Sequence, residues 1–127
     1  MRTVICLAAV VTVRYSHYWP PLLGTNCGQA QDGVCISRTA SGERWEDWIG
    51  RGIACPPEWE FGRQIRAFGQ LWTCVDRGPA VRYVDGVPFL DFLSPRPHRG
   101  YGELLGVELV GEDQWCKILT GLVHQPL

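Results

Sequence analysis

Turns, rather than long apolar runs, are the dominant feature of this sequence. Its 127 residues include 15 glycines and nine prolines, and such a density of turn-forming residues suits short strands better than long helices. The dipeptide Asp85-Gly86 separates Val81–Val84 from Val87–Leu90 and is typical of a tight hairpin turn. A second hairpin is predicted over residues 63 to 76, with its turn at Phe68–Gln70. The pattern predicts an all-β protein.

Length and charge limit the organisation of the chain and its partners. With 46% hydrophobic and 20% charged residues, 127 residues are enough for one core, so we expect a single domain over residues 1 to 127. The net charge of −1 argues against a general nucleic-acid binder, and no nucleic-acid partner is expected. No apolar run is long enough for a membrane-spanning helix.

The two ends of the chain and one internal segment carry further predictions. The apolar segment 1 to 18 is interpreted as a buried strand, because no clear small-residue cleavage site follows it. Pro20 and Pro21 end that strand, and residues 22 to 37 are predicted to form a loop. A short helix is predicted over residues 43 to 49, with an apolar face that packs on the sheet and a stop at Gly50 or Gly52. A last strand is expected over residues 104 to 110.

The six cysteines indicate a disulfide framework made in an oxidising compartment. Sequence alone does not select among the possible pairings, but Cys27 and Cys35 bracket a glycine-rich loop and form a plausible local pair. There is no C-x-x-C motif and no pair of histidines near a cysteine pair, so neither a metal site nor a cofactor is expected.

Asp91 is unusual because it interrupts the apolar segment Phe89–Leu93. Burial of a carboxyl group penalises its charged form and raises its pKa, which produces an acid able to deliver a proton near neutral pH. Asp76, at the end of its own strand, could face the same pocket. Both residues also have a structural interpretation, since Asp before Gly-Pro often bonds a turn and a strand Asp can face water.

Several segments taken together resemble a known family. Asp76-Arg77-Gly78-Pro79 followed by Asp91 resembles the signature of small double-psi β-barrels that act on cell-wall glycans: rare-lipoprotein-A-like proteins, three-aspartate (3D) domains and MltA-type lytic transglycosylases. Arg38–Glu43 resembles their Arg-Thr-Ala-(Ser/Asn)-Gly segment, and Ile53–Pro57 resembles their Ile-Ala-x-Asp-Pro segment. The resemblance covers roughly residues 10 to 110. It implies a six-stranded double-psi barrel with the short helix as an insertion and residues 1–9 and 111–127 as extensions.

The resemblance also implies further cysteine pairs. Cys55 and Cys74 lie on neighbouring segments of the family pattern and are candidates to bond. Cys6 and Cys116 then remain, one in each extension, where a bond between them would tie the termini together.

The function implied by the resemblance is lytic cleavage of peptidoglycan or another polysaccharide in the extracellular space or cell envelope. Asp91 matches the catalytic aspartate and Asp76 the partner carboxylate, while the candidates for substrate contact are Arg77, Tyr83, Trp19 and Trp45. The chain departs from the pattern in three ways. The interval between Asp76 and Asp91 is longer, Pro56 stands where the three-aspartate group often has Asp, and the histidine common in the rare-lipoprotein-A group is absent from this region.

Two alternatives from other functional classes remain open. One is a non-catalytic barrel of the expansin or barwin type that binds polysaccharide through exposed aromatic rings. The other is a structural protein of a virion or an extracellular filament, with the terminal extensions mediating homo-oligomer contacts.

Overall fold

The computed structural model describes residues 9–20, 27, 29–96 and 101–110, and almost all of the regular secondary structure in them is β-strand. The elements, in chain order, are β1 Val10–Tyr18, β2 Ala30–Gln31, β3 Val34–Cys35, a 3₁₀ turn Trp45–Trp48, β4 Gly52–Ala54, β5 Gln64–Ala67, β6 Gln70–Asp76, β7 Tyr83–Val84, β8 Val87–Leu93 and β9 Tyr101–Leu109. The all-β prediction is therefore confirmed. Residues 1–8 and 111–127, and with them most of the predicted extensions, lie outside the described residues.

Six of these strands close into a barrel. Their order is β1-β9-β5-β6-β4-β8, and a further pairing of β1 with β8 completes the circle. The β1–β8 and β4–β6 pairs are parallel, while the other four pairs around the barrel are antiparallel. Closure pairs the edge strands that an open sheet would expose. Strand β7 pairs with β8 as a short hairpin arm.

The barrel core follows from the alternation of side chains along its strands. Leu90 and Phe92 of β8 are fully buried in the main core, whereas Phe89 and Leu93 belong to a second, smaller cluster. The ring of Phe92 makes edge contacts with those of Tyr15, Phe68 and Trp72. Asp91 shares the orientation of Phe89 and Leu93 and therefore faces away from the main core.

Three hairpin turns have the same backbone geometry. Asp32-Gly33, Phe68-Gly69 and Asp85-Gly86 each have both residues at positive φ, which is the type I′ geometry preferred between twisted strands. The turns at 68–69 and 85–86 were predicted, and the hairpin over residues 63 to 76 is confirmed. The loop predicted over residues 22 to 37 is partly wrong, because Asp32-Gly33 connects the two-residue strands β2 and β3.

The predicted helix is shorter than expected. Within the predicted segment only Trp45–Trp48 is helical, as a single 3₁₀ turn, and Ile49 already has non-helical dihedral angles. Gly50 follows at φ 74°, which supports the predicted stop. Trp45 and Trp48 pack on the smaller cluster of the barrel, as the sequence pattern predicted.

Two of the expected disulfides are present. Cys27 bonds Cys35 and Cys55 bonds Cys74, with Cα–Cα distances of 5.9 and 5.8 Å. Cys6 and Cys116 lie outside the described residues. Because disulfides persist mainly in oxidising compartments, the two bonds favour an extracellular environment.

Candidate active site

A row of residues crosses four neighbouring strands on the outer face of the barrel. Ser16 of β1 is paired with Asp91 of β8, Asp91 with Ala54 of β4, and Ala54 with Asp76 of β6. Paired residues on adjacent strands direct their side chains to the same face of a sheet. Asp76 and Asp91, 15 positions apart in the chain, therefore lie on the two strands that flank β4, with Ala54 between them.

Asp91 is half-buried and resists ionisation. The pKa of Asp91 is raised from an ordinary value of 3.8 to about 6. Burial is the largest cause of the rise, a hydrogen bond from Ser16 opposes it, and the charge of Asp76 adds to it. The Ser16 hydroxyl donates to Oδ1 of Asp91 at 2.8 Å. Since the raised pKa lies near neutrality, Asp91 can exist both as an acid and as a base at physiological pH.

Asp76 is held by three hydrogen-bond donors. The hydroxyl of Tyr18 donates to its Oδ2 at 2.9 Å, while the backbone N–H groups of Ala40 and Arg77 donate to its Oδ1 at 2.8 and 2.9 Å. The pKa of Tyr18 is raised, first by burial and then by Asp76, so this hydroxyl keeps its proton. The carboxylate of Asp76 is thereby fixed in orientation beside Asp91.

The segment Arg38–Glu43 folds against Asp76 and supplies one of these donors. The hydroxyls of Thr39 and Ser41 lie 2.8 Å apart, and the Gly42 N–H donates to the Thr39 carbonyl at 2.8 Å. The Ser41 N–H donates to the carbonyl of Val75, next to Asp76, at 3.1 Å. The segment that carried part of the family resemblance is thus a compact turn that presents the Ala40 N–H to the carboxylate.

Arg77 is directed toward the protein backbone rather than toward the two carboxylates. Its Nη2 donates to the carbonyl of Trp59 at 2.7 Å and its Nη1 to that of Cys55 at 3.3 Å. The guanidinium also stacks on Phe61, 4.1 Å from the ring centroid. These contacts support the loop between β4 and β5, and the predicted role of Arg77 in substrate binding stays a prediction.

The three aromatic candidates for substrate contact lie in different places. Trp45 belongs to the smaller cluster that also contains Tyr18 and Ala54, but its indole Nε1 is buried and so cannot meet solvent. Trp19 is half-buried just after β1. Tyr83 is 40% exposed and lines a separate cavity with Trp59, whose indole N–H donates to its hydroxyl at 2.8 Å. Only Trp45 of the three is thus placed in the cluster beside the carboxylates.

Ser16 and Tyr18 complete the site and were not predicted. They alternate along β1 with Tyr15 and His17, whose rings contact the core residue Phe92, so strand periodicity alone places both on the outer face. Their carboxylate partners lie 75 and 58 positions away in the chain. No local pattern reveals which strand they pair with.

No family model, no curated protein sequence and no solved structure matches this chain. Within the described residues, no group of three or more His, Cys, Asp or Glu side chains is arranged to hold a metal ion. The same part of the chain contains no helix long and apolar enough to cross a membrane.

Ser16→Ala should raise the pKa of Asp91 further. The hydrogen bond from the Ser16 hydroxyl stabilises the charged carboxylate and so lowers the pKa of Asp91. Without it, burial and the charge of Asp76, which both raise this pKa, are no longer offset. The measurement is a carbon-detected NMR titration of Asp91 in both proteins. An unchanged or lower pKa in the variant would show that the hydrogen bond does not stabilise the charged form.

Asp91→Asn should make the protein more stable at neutral pH. The folded pKa of Asp91 is raised, so the favourable contribution of its protonated form is fully present below about pH 4 and is lost as the pH rises through about 6. The variant should match the wild type near pH 4 and exceed its unfolding free energy near pH 7 by on the order of 2 kcal/mol, a figure reduced for partial exposure. Urea unfolding at both pH values tests this, and equal stability at pH 7 would contradict it.

Proposed function

We propose that this chain is a double-psi β-barrel that cleaves the glycan strands of peptidoglycan by a lytic mechanism in the extracellular space or cell envelope. The observation that supports this most is a carboxyl group, Asp91, with its pKa raised to about 6, beside the fixed carboxylate of Asp76 on the outer face of the barrel. Such a pair provides an acid and a charged neighbour at one place. The Arg38–Glu43 turn against Asp76 further supports the family resemblance.

In the proposed reaction Asp91 acts twice. Protonated Asp91 donates its proton to the glycosidic oxygen as the bond from that oxygen to the sugar C1 breaks. The resulting carboxylate then removes the proton from the C6 hydroxyl of the same sugar, whose oxygen bonds C1 and closes a 1,6-anhydro ring. Asp91 ends protonated, and no second carboxylate is needed to activate water, unlike in ordinary glycoside hydrolysis.

The neighbouring residues adjust this cycle without contacting the reacting atoms. The hydrogen bond from Ser16 orients the carboxyl of Asp91 and limits the rise of its pKa. The charge of Asp76 acts in the opposite direction and favours the return of a proton to Asp91. Tyr18, which keeps its proton, holds Asp76 in place during both steps.

Digestion of purified peptidoglycan tests the proposal. Mass analysis of the soluble products should show muropeptides with 1,6-anhydro ends, which are lighter by one water than the products of hydrolysis. Products with reducing ends would show that the protein cleaves glycans by hydrolysis and would contradict the lytic mechanism. Retention of the protein on peptidoglycan without any released product would contradict catalysis and support the polysaccharide-binding alternative.

A further inference from the structure

A second cavity, distinct from the one that Tyr83 and Trp59 line, lies over β6, close to the carboxylate of Asp76. It is an open cavity of about 350 Å³, with Trp48 of the 3₁₀ turn and Phe61 of the loop before β5 among its lining residues. Thr73 and Val75 of β6 line it as well, and Ser41 and Glu43 supply polar groups. Apolar walls with a few polar groups are typical of small-ligand sites.

Both aromatic side chains are held in position by arginines. The guanidinium of Arg51 lies 4.2 Å from the centroid of the Trp48 ring, and that of Arg77 lies 4.1 Å from the centroid of Phe61. The indole N–H of Trp48 also donates to the carboxylate of Glu43. Rings fixed before binding lose little conformational entropy when a ligand arrives.

Phe61 is nevertheless 43% exposed, so a large apolar ring remains partly in water. Glu43 is the charged group among the described residues that line the cavity, and its carboxylate disfavours anionic ligands. A neutral ligand with one apolar face and several hydroxyls fits this lining best.

The cavity adjoins the candidate active site through β6 and the Arg38–Glu43 turn. Val75 lines the cavity and directly precedes Asp76. Ser41 also lines it, and the preceding residue, Ala40, donates its backbone N–H to Asp76. A chain-like substrate that reaches Asp76 and Asp91 therefore passes close to this cavity.

We infer that this cavity binds one pyranose ring of a glycan strand, next to the sugar that is cleaved at Asp91. The C–H face of the pyranose would stack on the exposed ring of Phe61, and its hydroxyls would donate to the carboxylate of Glu43 and exchange hydrogen bonds with Ser41 and Thr73. The placement of this pyranose next to the cleaved sugar rests on the proposed function. Its stacking on Phe61 and its hydrogen bonds to the cavity residues are independent of that function.

Binding of a soluble glycan to the Asp91→Asn protein tests the inference without turnover. The probe is the tetrasaccharide of N-acetylglucosamine, and its dissociation constant is measured by NMR from the shift of the Trp48 indole N–H. Phe61→Ala should weaken binding about fivefold to tenfold, as expected for loss of a stacked aromatic ring. Glu43→Gln, a conservative surface change, should weaken it about threefold by removing a charged acceptor.

Val84→Ala is the control, because Val84 is an apolar residue 44% exposed on the β7 arm and lies outside the cavity. It should leave the dissociation constant unchanged. Equal weakening by Phe61→Ala and Val84→Ala, an unchanged constant in Phe61→Ala, or no binding of the tetrasaccharide would each overturn the inference.

The binding measurement and the digestion of peptidoglycan by the wild-type protein together separate this inference from the proposed function. Binding that depends on Phe61, together with no cleavage of peptidoglycan, would keep the subsite and reject catalysis. Cleavage together with binding that does not depend on Phe61 would keep catalysis and reject the subsite.

Discussion

Replacement of Asp91 by asparagine is expected to reduce glycan cleavage by about 10²- to 10⁴-fold, the usual contribution of a general acid or base. Asparagine has nearly the same shape and can still accept the hydrogen bond from Ser16. It can neither give a proton to the glycosidic oxygen nor take one from the C6 hydroxyl. The measurement is the initial rate of anhydro-muropeptide release by the two proteins at pH 6, near the raised pKa of Asp91.

Asp85→Asn is the matched control for this loss. Asp85 is exposed in the turn between β7 and β8 at φ 52°, a conformation that asparagine also adopts readily. The control removes the same charge and should cleave at the wild-type rate. An Asp91→Asn protein that keeps more than about a tenth of the wild-type rate would exclude Asp91 as the acid and base.

Removal of the Cys55–Cys74 bond should lower the unfolding free energy more than removal of the Cys27–Cys35 bond. The bond closes a loop with a sequence separation of 19, and both residues are fully buried in the main core. Loss of the cross-link and of buried sulfur contacts should lower the unfolding free energy by about 3–5 kcal/mol in the Cys55→Ala/Cys74→Ala protein. Nη1 of Arg77, 2.7 Å from Sγ of Cys55 and 3.3 Å from Sγ of Cys74, loses these contacts at the same time.

The Cys27→Ala/Cys35→Ala protein provides the comparison. That bond closes a shorter loop, with a separation of 8, and joins the small β2–β3 hairpin outside the barrel. Its removal should cost less, about 2 kcal/mol. Guanidinium unfolding of both double variants measures their unfolding free energies. A loss for the Cys55→Ala/Cys74→Ala protein that is equal to or smaller than that for the Cys27→Ala/Cys35→Ala protein would contradict the prediction.

Local sequence signals predicted the parts of the fold that depend on neighbouring residues. Asp85-Gly86 and Phe68-Gly69 gave hairpins because their backbone geometry suits the twist of the strands that they join. Asp91 was recognised because a carboxyl among large apolar residues is costly to ionise wherever the strand is placed. The hairpin at Asp32-Gly33 was missed because its strands have only two residues each, too few to show an alternating pattern.

The remaining site residues could not be found in this way. Ser16 reaches Asp91 because β1 and β8 pair in parallel, and that pairing joins segments 75 residues apart. Ala54 connects the two carboxylates through two different strand pairings, one of them with an irregular register. These relations depend on which strands pair across the sheet, and in the case of Ser16 on closure of the barrel, neither of which a short segment of the sequence encodes.

An NMR titration of the Asp91 side-chain carboxyl carbon tests the central claim most directly, because it measures how strongly this group resists ionising beside Asp76. The structure predicts a midpoint of about 6. A midpoint near the ordinary pKa of 3.8 would show that Asp91 is charged throughout the physiological range, and it would contradict both the proposed acid and the site built around it.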